Sequence, residues 1–178
     1  MPTTTPDPII PDSKDWTRVL REPCAECGFD TSAFPREQVG VLLRDNAARW
    51  EPVLRRPDVR ERPVPTTWSP LEYACHVRDV FRIYRTRLGL MLDQDDPLFP
   101  NWDQDATAVA ERYGEQDPER IRVELREAAE ELAAAFDAVR DDQWERPGRR
   151  SDGAAFTVET FARYFIHDPV HHLHDVTR

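Results

Sequence analysis

Four of the five histidines in this chain fall within one short stretch, "HDPVHHLHD" at residues 167–175: His167, His171, His172 and His174. The fifth, His76, stands far upstream in "WSPLEYACHVRDVF". Imidazole is both a metal ligand and a proton carrier near neutral pH, so the spacing of the cluster carries chemical meaning. On a helix, residues i and i+4 share a face roughly 6 Å apart. Asp168 with His172 makes such a pair, and so does His167 with His171. On a helical wheel Val158, Phe161, Ala162, Phe165, Ile166, Leu173 and Val176 form one apolar side. Asp168 and His172 fall on the edge of that side, whereas His167, His171 and His174 fall opposite. The expected inward pair is therefore Asp168 and His172. His76, flanked by the apolar Cys75, Val77 and Val80, is the expected third ligand from another helix. Two imidazoles and a carboxylate leave coordination positions open, which is the pattern of a catalytic metal site. Pro169 removes one helical hydrogen bond. A kink there would turn His167 inward and make His167 with His171, or His167 with His172, the pair.

A second set of ligand types sits near the N-terminus. "CAEC" supplies two thiols, Cys24 and Cys27, which is half of a zinc site. The outward histidines His167 and His171 would complete a Cys2His2 set, with the N-terminal segment folded over the last helix in a closed, structural site. A redox pair is the competing reading, but it calls for a βαβ context that the sequence lacks. Cys75 reads as a small buried residue.

The elements that must position these residues read as helices. Residues 35–55 begin at Pro35, behind Thr31 and Ser32 as caps, and Pro52 kinks or ends the helix. Residues 69–93 open on "SPLE", in which Ser69, Pro70 and Glu72 make a capping box. Residues 118–140 have Asp117 as cap and Pro118 at the first helical position, and Ile121, Leu125, Ala128, Leu132 and Phe136 recur at helical spacing. Residues 157–176 open at Thr157, and a shorter helix fits 104–113. No segment sustains the alternation of a strand. The expectation is an all-α four-helix bundle over 35–178 with an irregular extension over 1–34, of which residues 1–15 are poorly ordered. The long connection 94–117 would cross one end of the bundle or shape a pocket there.

Composition narrows the function further. At 178 residues the chain suits one domain. Its net charge of −10, without a basic patch, argues against nucleic-acid binding. No run is apolar enough to span a bilayer, and the N-terminus does not read as a signal peptide, so a cytoplasmic protein is expected. Three cysteines are too few for a disulfide scaffold. One lysine among 24 basic residues, together with many alanines, suggests a GC-rich genome.

At these residues the sequence resembles the DinB superfamily and, within it, the mycothiol-dependent maleylpyruvate isomerase group. In "WSPLEYACHVRDVFRIYRTRL", Trp68 precedes His76 by eight positions, as in the family's second helix. "DPVHHLHDV" is similar to the isomerase segment, with Asp168, His172 and Asp175 at its carboxylate, histidine and aspartate positions. Other branches carry histidines at both ligand positions, and an aspartate stands here at the first. The resemblance covers residues 35–178. It implies a four-helix bundle, a divalent metal such as zinc or nickel, mycothiol or bacillithiol as thiol cosubstrate, a small-molecule substrate, and often a homodimer. The expected activity is S-transfer or isomerisation of a small electrophile. The alternative is a non-catalytic module that binds a metal or a small ligand. Asp79 and Asp175 are candidates to orient the ligating imidazoles, and Tyr73 and Tyr84 are candidate proton donors. Arg78, Arg82 and Arg85 are expected to face water rather than bind an anionic substrate.

Overall fold

A computed structural model of the chain describes residues 8–178. Among the described residues there are five α-helices: α1 (Val39–Leu54), α2 (Pro70–Asp93), α3 (Gln104–Ala110), α4 (Pro118–Asp137) and α5 (Val158–Thr177). The four long helices form a bundle in which α1 and α2 both pack on α4, and α5 closes against α1 and α2. Local chemistry sets most helix starts. Ser69 and Glu72 make the reciprocal capping box of α2, Asp117 accepts from Glu119 N–H at the start of α4, and Thr157 accepts from Thr160 N–H at the start of α5. The start of α1 differs from expectation. A 3-10 turn, Arg36–Gln38, precedes the helix with Pro35 as its cap. Thr31 and Ser32 are engaged elsewhere: Thr31 Oγ1 donates to the Val19 carbonyl, and Ser32 donates to Asp30. Pro52 lies in the last turn of α1, and α5 continues through Pro169 without a break.

The core holds Leu43, Trp50, Phe81, Leu88, Phe161 and Phe165, all essentially inaccessible to solvent. Phe165 stacks on Phe136 of α4 at 5.6 Å and packs on Tyr84 of α2 at 4.9 Å, so its ring joins three helices. Asn46 of α1 donates to the Pro169 carbonyl of α5 at 2.9 Å and accepts from Trp50 Nε1. This ties the first helix to the last near the histidine cluster.

The all-α expectation omits a small sheet. β1 (Leu98–Phe99) runs parallel to β2 (Pro147–Arg150), and β2 pairs antiparallel with β3 (Ala155–Thr157). This sheet fastens the long connection after α2 to the turn before α5.

Of the N-terminal extension, residues 1–7 lie outside the described residues, and the expectation of poor order there falls on them. Residues 8–15 carry no helix or strand, and Ile10 N–H donates to the Thr66 carbonyl. A 3-10 turn at Trp16–Leu20 then packs on α5. Among the described residues, no helix is long and apolar enough to cross a membrane.

Candidate metal centre

The second turn of α2 carries His76, and its placement begins at the helix cap. Glu72 accepts from Ser69 N–H at 2.7 Å and from Arg62 at 2.6 and 3.0 Å. Burial opposes the charge on Glu72, but Arg62 and Ser69 outweigh it and hold the carboxyl below its ordinary range. With the helix start fixed, His76 lies fully buried between two indoles. Trp68 packs on its ring at 5.3 Å, and Trp102 stacks on it at 5.3 Å with the planes only 10° apart. Trp102 comes from the connection between α2 and α4. Sequence periodicity could not place it, although an isolated tryptophan in an Asp-rich loop is itself a signal.

Helix α5 supplies the other two residues. His76 Nε2 lies 3.2 and 3.3 Å from the Asp168 carboxylate oxygens, and His172 Nε2 lies 3.6 Å from Asp168 Oδ2. All three donor atoms fall within 4.8 Å of one another. Nitrogen and oxygen donors on one divalent ion stand about 3 to 3.5 Å apart, so the set fits a single ion with little adjustment. The other nitrogen of His172, Nδ1, is 3.4 Å from Asp175 Oδ2, which suits the outer-sphere role expected of that aspartate. Asp79 does not share that role. It pairs with Arg78 and accepts from the Tyr113 hydroxyl at 2.5 Å. His76 Nδ1 is buried and has no hydrogen-bond partner among the described residues.

Opposite charges hold the three side chains together. Burial works against ionisation of both partners, but their mutual attraction wins. Asp168 is held well below the carboxylate range by His76 and His172, and His172 is raised to about 9 by Asp168 and Asp175. Tyr73 packs on the His172 ring at 4.9 Å, and burial pushes its phenol up to about 12, so it keeps its proton at neutral pH. Tyr84 is a core residue stacked on Phe161 that reaches the cavity floor.

Asp168 and His172 open onto a cavity of about 830 Å³. Its walls include Trp68 and Tyr73 from the α2 side, Gln104 and Asp105 from α3, and the N-terminal segment from Ile9 to Trp16. The long connection thus both crosses the bundle end and shapes the pocket. Arg78 is buried in ion pairs with Asp79 and Glu124, contrary to the expectation that it faces water, whereas Arg82 and Arg85 are exposed.

The structure groups His167 and His171 with Cys24 and Cys27, and not with His76. Both histidines project from the face of α5 next to that of Asp168 and His172 and line the same cavity, and at 4% and 6% exposed they are buried rather than turned out as the wheel suggests. The N-terminal segment covers them, with the Trp16 ring 5.0 Å from each. His174 is part-exposed and joins neither group.

Comparison with known proteins agrees with this architecture. Residues 37–176 match the DinB superfamily. Among solved structures, the fold is similar to YfiT from Bacillus subtilis, described as a probable metal-dependent hydrolase with an unusual four-helix bundle topology. The match has a TM-score of 0.71 and 18% identity, and covers 89% of this chain and 90% of that one. No curated protein sequence matches.

Proposed function

The chain belongs to the DinB superfamily, and on that premise we propose a metal-dependent enzyme. It would hold one divalent ion on His76, Asp168 and His172, and use a thiol cosubstrate of the mycothiol type for S-transfer to, or isomerisation of, a small electrophile. One observation carries the reading. Asp168 and His172 border a cavity of about 830 Å³, the size of a small-molecule site, with the buried His76 in reach of the same ion, and no fourth histidine, cysteine or acidic donor joins the group among the described residues. A zinc or nickel ion there would act as a Lewis acid, lowering the pKa of a thiol so that thiolate forms at neutral pH.

The protein's own groups have definable tasks. Asp168 is the negative member of the triad, and its charge matches a cation whether that is a metal or the His172 imidazolium. Asp175 accepts from His172 Nδ1 and so turns Nε2 toward the shared position. Trp68 and Trp102 fix the plane of His76 and keep water from its faces. The Tyr73 phenol, protonated at neutral pH and lining the cavity, is placed to donate a hydrogen bond to an electrophile's oxygen.

Hydrolysis is the second reading, favoured by the likeness to YfiT, because the same open site would serve water as nucleophile. A binding module without catalysis is the third. A single assay separates them: the metal-loaded protein is mixed with a panel of small electrophiles, with and without mycothiol, bacillithiol or glutathione. Metal-dependent turnover that requires a thiol is the expected result. Turnover without thiol would favour hydrolysis, and metal uptake with no turnover would favour the binding module.

A further inference from the structure

The bundle-end site leaves half of the histidine cluster without a task. His167 and His171 each precede a triad member by one residue, so they project from the neighbouring face of α5. There they meet the "CAEC" turn. Cys24, Cys27, His167 and His171 each offer a donor atom within 4.8 Å of the other three. Cys24 Sγ lies 3.6 Å from His171 Nδ1. Sulfur and nitrogen donors on a tetrahedral zinc ion stand about 3.3 to 3.8 Å apart. His167 Nε2 is buried with no hydrogen-bond partner among the described residues, a costly state for a polar atom that metal ligation would relieve. We infer that these four residues bind a zinc ion in a closed tetrahedral site, which fastens the N-terminal segment to α5 and thereby holds one wall of the bundle-end cavity.

The local backbone is built for this. Cys24 N–H donates to the Phe29 carbonyl, and Gly28 N–H donates to the Cys24 carbonyl at 2.8 Å. Gly28 adopts φ +73°, a left-handed conformation that favours glycine, directly after the second cysteine. The tight turn presents both thiols to α5. Zinc binding would exchange two thiol protons for the dication, and two thiolates with Zn²⁺ leave no net charge to bury. His171 Nε2, on the far side of its ring from Cys24, has Asp175 Oδ2 at 3.6 Å and Glu26 Oε2 at 3.7 Å, the carboxylate surroundings common to zinc-bound histidines. Trp16 caps both imidazoles. A plain pair of free thiols would account for the Cys24–His171 contact but not for the unpartnered His167 nitrogen or the convergence of all four donors. Ile9, Ile10, Asp12, Lys14, Trp16 and Glu26 all line the cavity, and all belong to the segment that the clamp anchors.

The test is cobalt(II) titration of the reduced, full-length, untagged protein, with zinc content measured in parallel. A sulfur-to-cobalt charge-transfer band is expected in the wild type. It should persist in the Asp168→Ala, His172→Ala double variant, which leaves the clamp intact, and vanish in Cys24→Ser, Cys27→Ser together with one zinc per chain. Cys27→His, which keeps four donors, should retain cobalt with a weaker band. Trypsin should cut after Lys14 and Arg21 more slowly in the zinc-loaded wild type than in the double serine variant or the chelated wild type. A wild type without the band, or a band that survives in the double serine variant, overturns the site. Cleavage indifferent to zinc overturns the fastening role.

Discussion

Asp168 and His172 form an ion pair at 3.6 Å, and the proton on His172 competes with any metal. His172 is raised from 6.5 to about 9, with burial opposing the proton and Asp168 and Asp175 outweighing it. Its contribution to the stability of the metal-free protein is fully present below about pH 6.5 and is lost as pH rises through about 9. Asp168 has the opposite sign: its contribution is present above about pH 3.8 and is lost as pH falls through its lowered pKa. A metal at this site must displace the His172 proton, so its affinity should fall about tenfold for each pH unit below 9. In the Cys24→Ser, Cys27→Ser background, calorimetric titration at pH 7 in buffers of different ionisation heat should show proton release on metal uptake that is lost when His172→Ala is added. Unchanged proton release in that variant would exclude His172 as the ligand. Asp175 adds a second link at this scale, since its Oδ2 faces His172 Nδ1 on one side and His171 Nε2 on the other.

At the scale of the element, α2 depends on its cap. Ser69 is fully buried and accepts from Glu72 N–H, so Ser69→Ala leaves a buried donor unpaired at the end of the helix that carries His76. A loss of about 1 to 2 kcal/mol is expected in urea unfolding of the metal-free protein. A change near zero would mean that Arg62 and Glu72 fix the helix start without the serine. Caps of this kind were readable from the sequence because their chemistry spans only three or four residues; Ser69, Asp117 and Thr157 all open helices where their side chains predict. The wheel likewise separated Asp168 and His172 from His167 and His171, because α5 keeps register through Pro169. What periodicity could not supply was anything set by distant pairing. The strands are two to four residues long, and β1 pairs with β2 across some fifty residues of chain, so neither carries an alternating pattern. Trp16 and Trp102 reach the histidines from irregular segments, and only tertiary structure places them there. Arg78 has the sequence pattern of a solvated helix residue, but α4 brings Glu124 against it and buries the pair.

For the whole molecule, one helix carries two sets of candidate metal ligands through two i, i+4 pairs offset by a single residue. The inner pair meets α2 at the bundle end, and the outer pair meets the N-terminal segment, so the cavity lies between the bundle and a strap of chain. The most direct measurement is the metal content per chain of the untagged protein, purified without added metal or chelator, beside that of His76→Ala and His172→Ala. The account predicts a divalent metal equivalent that disappears in both variants while helicity is retained. A wild type that binds no metal, even on titration, or full metal occupancy kept in both variants, would contradict it.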